Sequence, residues 1–321
     1  MALGAVALLV ILFFGHLCLG SVTLLSPLDV ISELFGGRPQ GQADPIGYLV
    51  WEIRLPRALA ALLVGGALAV AGATFQSLFR NPIADPFIIG ISSAAAVGGA
   101  IASLLPPAIS AGPLGVAMAF ASAMIGLWFV LSLGKGKHGL SLANVLISGV
   151  AVGSFLWGLI SFILVRAGQD SNKVLYWLLG SLAWLDWTRV IILLIAFAIG
   201  FGYLMFRARE LTLFSVGEST AATLGIDVHR LKLEVLIASS LLTAASVATV
   251  GIIGFIGLFC PHICRKLFGS QVSATLPACV LVGGASLLAA DLLAQRLGEL
   301  NVGIVTALIG APILLIILRK R

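Results

Sequence analysis

The sequence predicts an all-α protein that crosses a membrane about ten times, and three observations lead there. Ten runs of about 20 mostly apolar residues can be marked, the length that a spanning helix needs. The composition is 60% hydrophobic and only 10% charged, where soluble domains average about 25% charged, and the mean hydropathy is +1.13. The charges gather between the runs. Continuous apolar runs exclude a membrane barrel, whose strands alternate. Backbone groups in lipid must be bonded within the chain, so the runs are helices. No long polar stretch, linker or low-complexity segment interrupts residues 1–321, and a single membrane domain is expected.

The expected spans cover about 2–25, 58–77, 88–105, 113–133, 141–165, 190–207, 233–250, 252–268, 276–295 and 302–318. The first resembles a signal peptide, but no basic residue precedes its apolar stretch and His16-Leu17-Cys18 is not a small-residue cleavage site. An uncleaved span is expected. Before the second span, Arg54-Leu55-Pro56-Arg57 puts Pro56 in a first helical turn, where its missing N–H is not needed. Arg54 and Arg57 then stand at the mouth of the domain, either as snorkelling anchors or as a site for a partner. Gly65, Ala69 and Gly72 in the second span, and Gly149 and Gly153 in the fifth, recur at helical spacing and predict close helix packing.

Two prolines four apart in Asn81-Pro82-Ile83-Ala84-Asp85-Pro86 cannot lie in one unbroken helix. A structured turn is expected there, with Asn81 and Asp85 capping backbone N–H groups. The fifth span opens with polar Asn144 and Ser148 near Gly149. The longest loop, about 211–230, carries Ser215-Val216-Gly217-Glu218-Ser219-Thr220-Ala221-Ala222-Thr223-Leu224-Gly225. Ser215 or Gly217 can start a short helix there, Glu218 suits its positive end and Gly225 can end it. Its small residues suit insertion into a groove on a partner.

The eighth span contains Cys260-Pro261-His262-Ile263-Cys264, and soft ligands on one helix face invite a metal reading. No metal or cofactor is expected. All four cysteines, Cys18, Cys260, Cys264 and Cys279, lie in apolar runs and are expected to be free thiols. Asp291 is the clearest intramembrane ionisable residue. It fits a helix–helix hydrogen bond, or a group near the interface, better than proton coupling, which usually uses several such groups.

Lys and Arg in short loops set orientation. Twelve of the nineteen lie on the side that holds both termini: Arg80, Lys135, Lys137, Arg207, Arg209, Arg230, Lys232, Arg265, Lys266, Arg319, Lys320 and Arg321. The other side holds Arg38, Arg54, Arg57, Arg166, Lys173, Arg189 and Arg296. Both termini are therefore expected in the cytoplasm. The net charge of +6 is mostly this bias and is no argument for nucleic acid. No phosphate-binding loop occurs. Gly134-Lys135-Gly136-Lys137 lacks the first glycine at the right spacing and the hydroxyl after Lys. No nucleophile–histidine–acid set falls in a plausible pocket, so the chain is expected to carry no catalytic chemistry of its own.

Five motifs in order resemble the permease subunits of the FecCD-type family of ABC importers, which take up iron–siderophores, haem and vitamin B12. They are Arg54-Leu55-Pro56-Arg57 with Gly65–Gly72, Asn81–Pro86 with Gly90-Ile91-Ser92-Ser93, Gly217-Glu218 to Leu224-Gly225, Gly254–Leu258 with Pro261-His262-Ile263, and Val302–Pro312. The resemblance covers nearly the whole chain. It implies a fold like that of the vitamin B12 importer permease, set in the inner membrane and its lipid. It further implies a homodimer or pseudo-dimer with the path between subunits, two ATPase subunits below and a soluble binding protein above. In the family, arginines at the positions of Arg54 and Arg57 face acidic residues of that binding protein, and a further arginine falls at Gln295 or Arg296. The family often has proline where Asn301 stands. Glu218, Ala221, Ala222, Leu224 and Gly225 would form the ATPase-coupling element. Asn144, Ser148 and Gly149 would lie beside the path. Iron–siderophore is the first expected cargo, then haem, then vitamin B12. The competing reading is an ion-coupled secondary transporter, which would need charged groups and unwound helices at mid-membrane.

Overall fold

The computed structural model describes residues 2–20, 23–38, 44–110, 112–136 and 139–319. Ten principal helices run through it: α1 (Ala2–Cys18), α2 (Leu55–Leu78), α3 (Ile91–Ser103), α4 (Pro113–Leu133), α5 (Leu142–Ala167), α6 (Trp187–Phe206), α7 (Val228–Val250), α8 (Ile256–Phe268), α9 (Val272–Arg296) and α10 (Val302–Arg319). They match the ten expected spans. Six are long and apolar enough on their own to cross a membrane, and α1, α3 and α10 are shorter apolar helices. Alternate ends of the helices define two faces, called here the Arg54 end and the Glu218 end.

α2 is the axis of the bundle. Of its apolar window 89% is buried, against 17% for α5 and 22% for α6, which form the periphery. Its small residues explain why. A Cβ placed on Gly65 would collide with the Gly283 carbonyl of α9, and one on Gly72 with the Gly257 carbonyl of α8. Backbone therefore packs on backbone, which is how helices gain contact in lipid without a hydrophobic driving force. Gly149 of α5 is equally tight against Ile88 and Ile89, in the turn that follows Asp85.

That turn is built as its two prolines require. Ile83 N–H donates to Asn81 Oδ1 at 3.1 Å and Phe87 N–H to Asp85 Oδ1 at 2.8 Å. Burial pushes the Asp85 carboxyl up to about 6, against the opposing pull of the Phe87 N–H.

The eighth span departs from an unbroken helix. Residues 251–255 are non-helical, Gly251 and Phe255 take left-handed φ of 76° and 69°, and helix begins only at Ile256. Irregular backbone at membrane depth persists only inside protein or beside a water-filled cavity. Here it is wedged between the segment after residue 178 and the start of α10. Ser181 N–H donates to the Val250 carbonyl at 2.8 Å, and Gly303 N–H to the Gly180 carbonyl at 3.3 Å. Gly180, Gly251 and Gly303 each lie so close to neighbouring carbonyls that a Cβ would clash.

Four hydroxyls of α7 are matched within the helix itself. Ser239, Thr243, Ser246 and Thr249 of α7 each donate to the carbonyl four residues back, at 2.7–3.0 Å. Pro261 removes the N–H that would have bonded the Gly257 carbonyl. Gln76 of α2 supplies the substitute, with Nε2 at 3.1 Å from Gly257 O and 3.2 Å from Leu258 O, while Arg265 donates to its Oε1. Gln76→Leu should therefore lower thermal stability in detergent by roughly 1–3 kcal/mol, the usual loss for a buried polar group left unpaired. An unchanged melting temperature would show that the freed carbonyl has another donor.

Candidate transport site

At the Arg54 end, α1, α2 and α9 meet in a buried polar cluster. Arg54 closes α1: its Nη1 donates to Leu17 O at 2.7 Å and Cys18 O at 2.9 Å, and its Nη2 to Thr23 O at 2.6 Å. The Leu17 and Cys18 carbonyls lie at the helix C-terminus, where no intrahelical donor reaches them. Gly20 is needed beside it, because a Cβ there would collide with the guanidinium. Arg57 grips Asp291 of α9 with two donors, Nε to Oδ2 at 2.7 Å and Nη2 to Oδ1 at 3.0 Å. Its Nη1 reaches Glu299 at 3.0 Å. Asp291 also accepts from His16 Nε2 at 2.7 Å and from Gln295 Nε2 at 2.9 Å. Its exposure is 0%, so every lone pair must find a donor in the protein.

Arg54 and Arg57, two of the three candidate docking residues, are 5% and 8% exposed and are hydrogen-bonded within the chain. Of the three candidate docking residues, Arg296 is the exposed one. Asp291 is a helix–helix hydrogen-bonding residue, the first of the readings open at the sequence level. His16 and Glu299 complete the cluster. A lone histidine in an apolar run was the signal for His16, and Glu299 sits at a φ of 59° in the turn before α10. Asn301, where the family often has proline, donates Nδ2 to Tyr176 O at 2.8 Å and so holds that turn to the Ser171–Leu178 helix. A cavity of about 660 Å³ adjoins the cluster, lined by Arg57, Glu299, Tyr176, Trp177, Trp184 and Arg189 among others. Trp177 fixes its wall by filling the space above Gly99 of α3.

At the Glu218 end, two short helices, Ala208–Val216 and Glu218–Thr223, occupy the expected loop. Gly217 separates them, and Gly225, at a φ of 83°, turns the chain back with its N–H on Ala222 O at 3.0 Å. Ala221 is buried, while Ala222, Leu224 and Gly225 are exposed. Leu224 is 60% exposed and Val216 74%, an apolar edge on an otherwise charged face. In α5, Asn144 is exposed in the first turn, at the Glu218 end, Ser148 is half-buried, and Gly149 is buried against the 88–89 turn.

Cys260 Sγ lies 3.5 Å from Ser286 Oγ, and Cys18, Cys260, Cys264 and Cys279 are free and buried. Among the described residues no group of three His, Cys, Asp or Glu side chains could hold a metal ion.

This architecture of ten helices, with a short exposed helix pair at one end, has close counterparts. The model of the FecCD transport family matches residues 8–320. The chain belongs to the FecCD transport family. This FecCD permease is 42% identical to the cobalamin import system permease protein BtuC of Halobacterium salinarum, over 88% of this chain and 76% of that one. It is 38% identical to the Fe(3+) dicitrate transport system permease protein FecD of Escherichia coli, over 83% of each chain. A solved chain assigned to the metal-chelate type of ABC transporter, in an inward-facing conformation, superposes with a TM-score of 0.86 at 30% identity. That match covers 99% of this chain and 98% of the other. The FecCD permease is thus a multi-pass membrane transport protein of the ABC importer class.

Proposed function

We propose that the FecCD permease is the membrane subunit of an ATP-driven importer of metal chelates. Two copies form the path between them, two separate ATPase subunits bind at the Glu218 end, and a soluble binding protein delivers cargo at the Arg54 end. The chain itself hydrolyses nothing. The observation that carries this reading is the Glu218–Gly225 element: a short helix fixed by flanking glycines, with Leu224 and Ala222 turned outward beside exposed Val216. An apolar edge at an aqueous face needs a partner to cover it, and a motor subunit is the partner the family implies. The whole of 1–321 is read as one permease domain, with 211–230 as its coupling loop.

The excess of Lys and Arg around the Glu218 end supports a cytoplasmic position for it and for both termini. Lys137, Lys320 and Arg321, which belong to that count, lie outside the described residues. Binding-protein docking falls to exposed Arg296. At Arg57 a carboxylate of the binding protein would have to displace Glu299, which already occupies Nη1.

Relatives named for cobalamin and for ferric dicitrate bracket the cargo class, so cyanocobalamin and ferric dicitrate are the probes. In proteoliposomes holding permease, ATPase and binding protein, uptake of one of them should require ATP. Gly225→Pro should leave the permease inserted, yet abolish that uptake while hydrolysis continues. Uptake driven by an ion gradient without the ATPase would overturn the reading. A cysteine at Ser219 that is labelled from outside intact cells, in a background without the four native cysteines, would reverse the orientation.

A further inference from the structure

The first turns of α7 collect every cytoplasmic-side connector that the structure joins to it by a side chain. His229 Nδ1 accepts the Leu140 N–H at 3.1 Å, which ties down the turn between α4 and α5. Glu234 accepts from Arg207 at the end of α6, and from Arg230 at 2.7 Å. Lys232 donates to Glu218, the first residue of the coupling helix.

Burial differs along this set: the Arg207 and Glu234 side chains are 17% and 19% exposed, those of Lys232 and Glu218 9% and 46%. Arg230 is 69% exposed at its side chain, and such surface pairs contribute little. The Lys232 side chain is only 9% exposed, and its ammonium stands 5.8 Å above the ring of fully buried Phe214. An ammonium withdrawn from water needs a carboxylate and a ring face in its place. Its removal from Glu218 would leave a buried charge without its counter-ion, so the pair resists separation. Phe214 belongs to the Ala208–Val216 helix. One side chain on α7 therefore holds both short helices of the loop.

α7 is also the helix that reaches the other end. From Lys232 it runs without a break to Val250, whose carbonyl accepts the Ser181 N–H. Ala248, Thr249 and Val250 line the cavity beside Arg57 and Glu299. The non-helical segment 251–255 follows directly.

We propose that Lys232 is the positioning residue that transmits movement of the Glu218–Thr223 helix into α7. This rests on the reading of Glu218–Gly225 as the ATPase-binding element. A push on that helix moves Glu218, the ion pair carries buried Lys232 with it, and α7 shifts as a rod between the two faces of the bundle. Without the pair the short helix can tilt while α7 stays in place.

The test uses the reconstituted complex with its ATPase and binding protein. Lys232→Met keeps the stem volume and the contact with Phe214 but removes the charge. We expect the ATPase to co-purify, hydrolysis to continue, and the number of cyanocobalamin or ferric dicitrate molecules moved per ATP to fall about tenfold, within the range by which coupling residues act. Lys232→Arg should restore most of the ratio, and the exchange Lys232→Glu with Glu218→Lys part of it. Spin labels at Thr223 and Ile237 should keep their separation through the ATP cycle in the unmodified complex and lose it in Lys232→Met. An unchanged transport-to-ATP ratio, or an unchanged label separation in Lys232→Met, overturns the proposal. Loss of ATPase binding in Lys232→Met also overturns it, since the residue would then shape the docking surface. Failure of the underlying reading is seen separately: Leu224→Asp, which leaves Lys232 intact, would not weaken ATPase co-purification.

Discussion

Replacing Arg57 by methionine should lower the stability of the solubilised protein by about 3–5 kcal/mol, the usual loss when one partner of a buried ion pair is removed. Asp291 would keep its charge at 0% exposure with only His16 and Gln295 as donors. Asp291→Leu should be comparably damaging, because Arg57 would keep only Glu299, whose side chain is 39% exposed. The double variant Arg57→Met with Asp291→Leu should be more stable than either single one. It strands no charge: Glu299 can turn to water, and His16 and Gln295, 3.1 Å apart, can satisfy each other. Thermal unfolding of the three variants gives the cycle directly. Additive losses would mean that Arg57 and Asp291 act independently, against the bidentate geometry.

Gly72→Val should be more severe and should yield little folded permease. The added Cβ falls on the Gly257 carbonyl, which is backbone and has no rotamer to give way. α2 and α8 would have to part, and the Gln76 bridge beside them would be lost. Gly158→Ala on α5 is the matched control, since nothing lies within 4 Å of its added Cβ. It should be neutral or slightly stabilising, by up to about 1 kcal/mol from helix propensity. Normal yield of Gly72→Val in a membrane fraction, with an unchanged melting temperature, would refute the backbone contact.

Hydropathy made the ten helices legible, because a membrane asks only for length and apolarity. The Gly217–Gly225 helix was legible too, since its limits depend on glycine backbone freedom at the site itself. The fates of Arg54 and Arg57 were not. Asp291 lies 234 residues from Arg57, and no local pattern marks that pairing. A basic pair at a helix start reads alike whether its partner is water, another protein or a distant carboxylate. The break before α8 was hidden for another reason. Ile252, Ile253 and Phe255 are as apolar as a helix interior would be, and Gly251 and Gly254 were the local hints.

The short α8 constrains how the protein is made. Thirteen residues rise about 20 Å as a helix, well short of the ~30 Å hydrocarbon core. As it leaves the ribosome this segment cannot partition into lipid as an independent span, and the non-helical residues before it would carry bare amides into hydrocarbon. Its insertion must wait for α9, and the close fit of Gly180, Gly251 and Gly303 must wait for α10, which is synthesised after both. A nascent chain halted after residue 270 should therefore leave its eighth segment accessible to water-soluble reagents, and one halted after residue 319 should not.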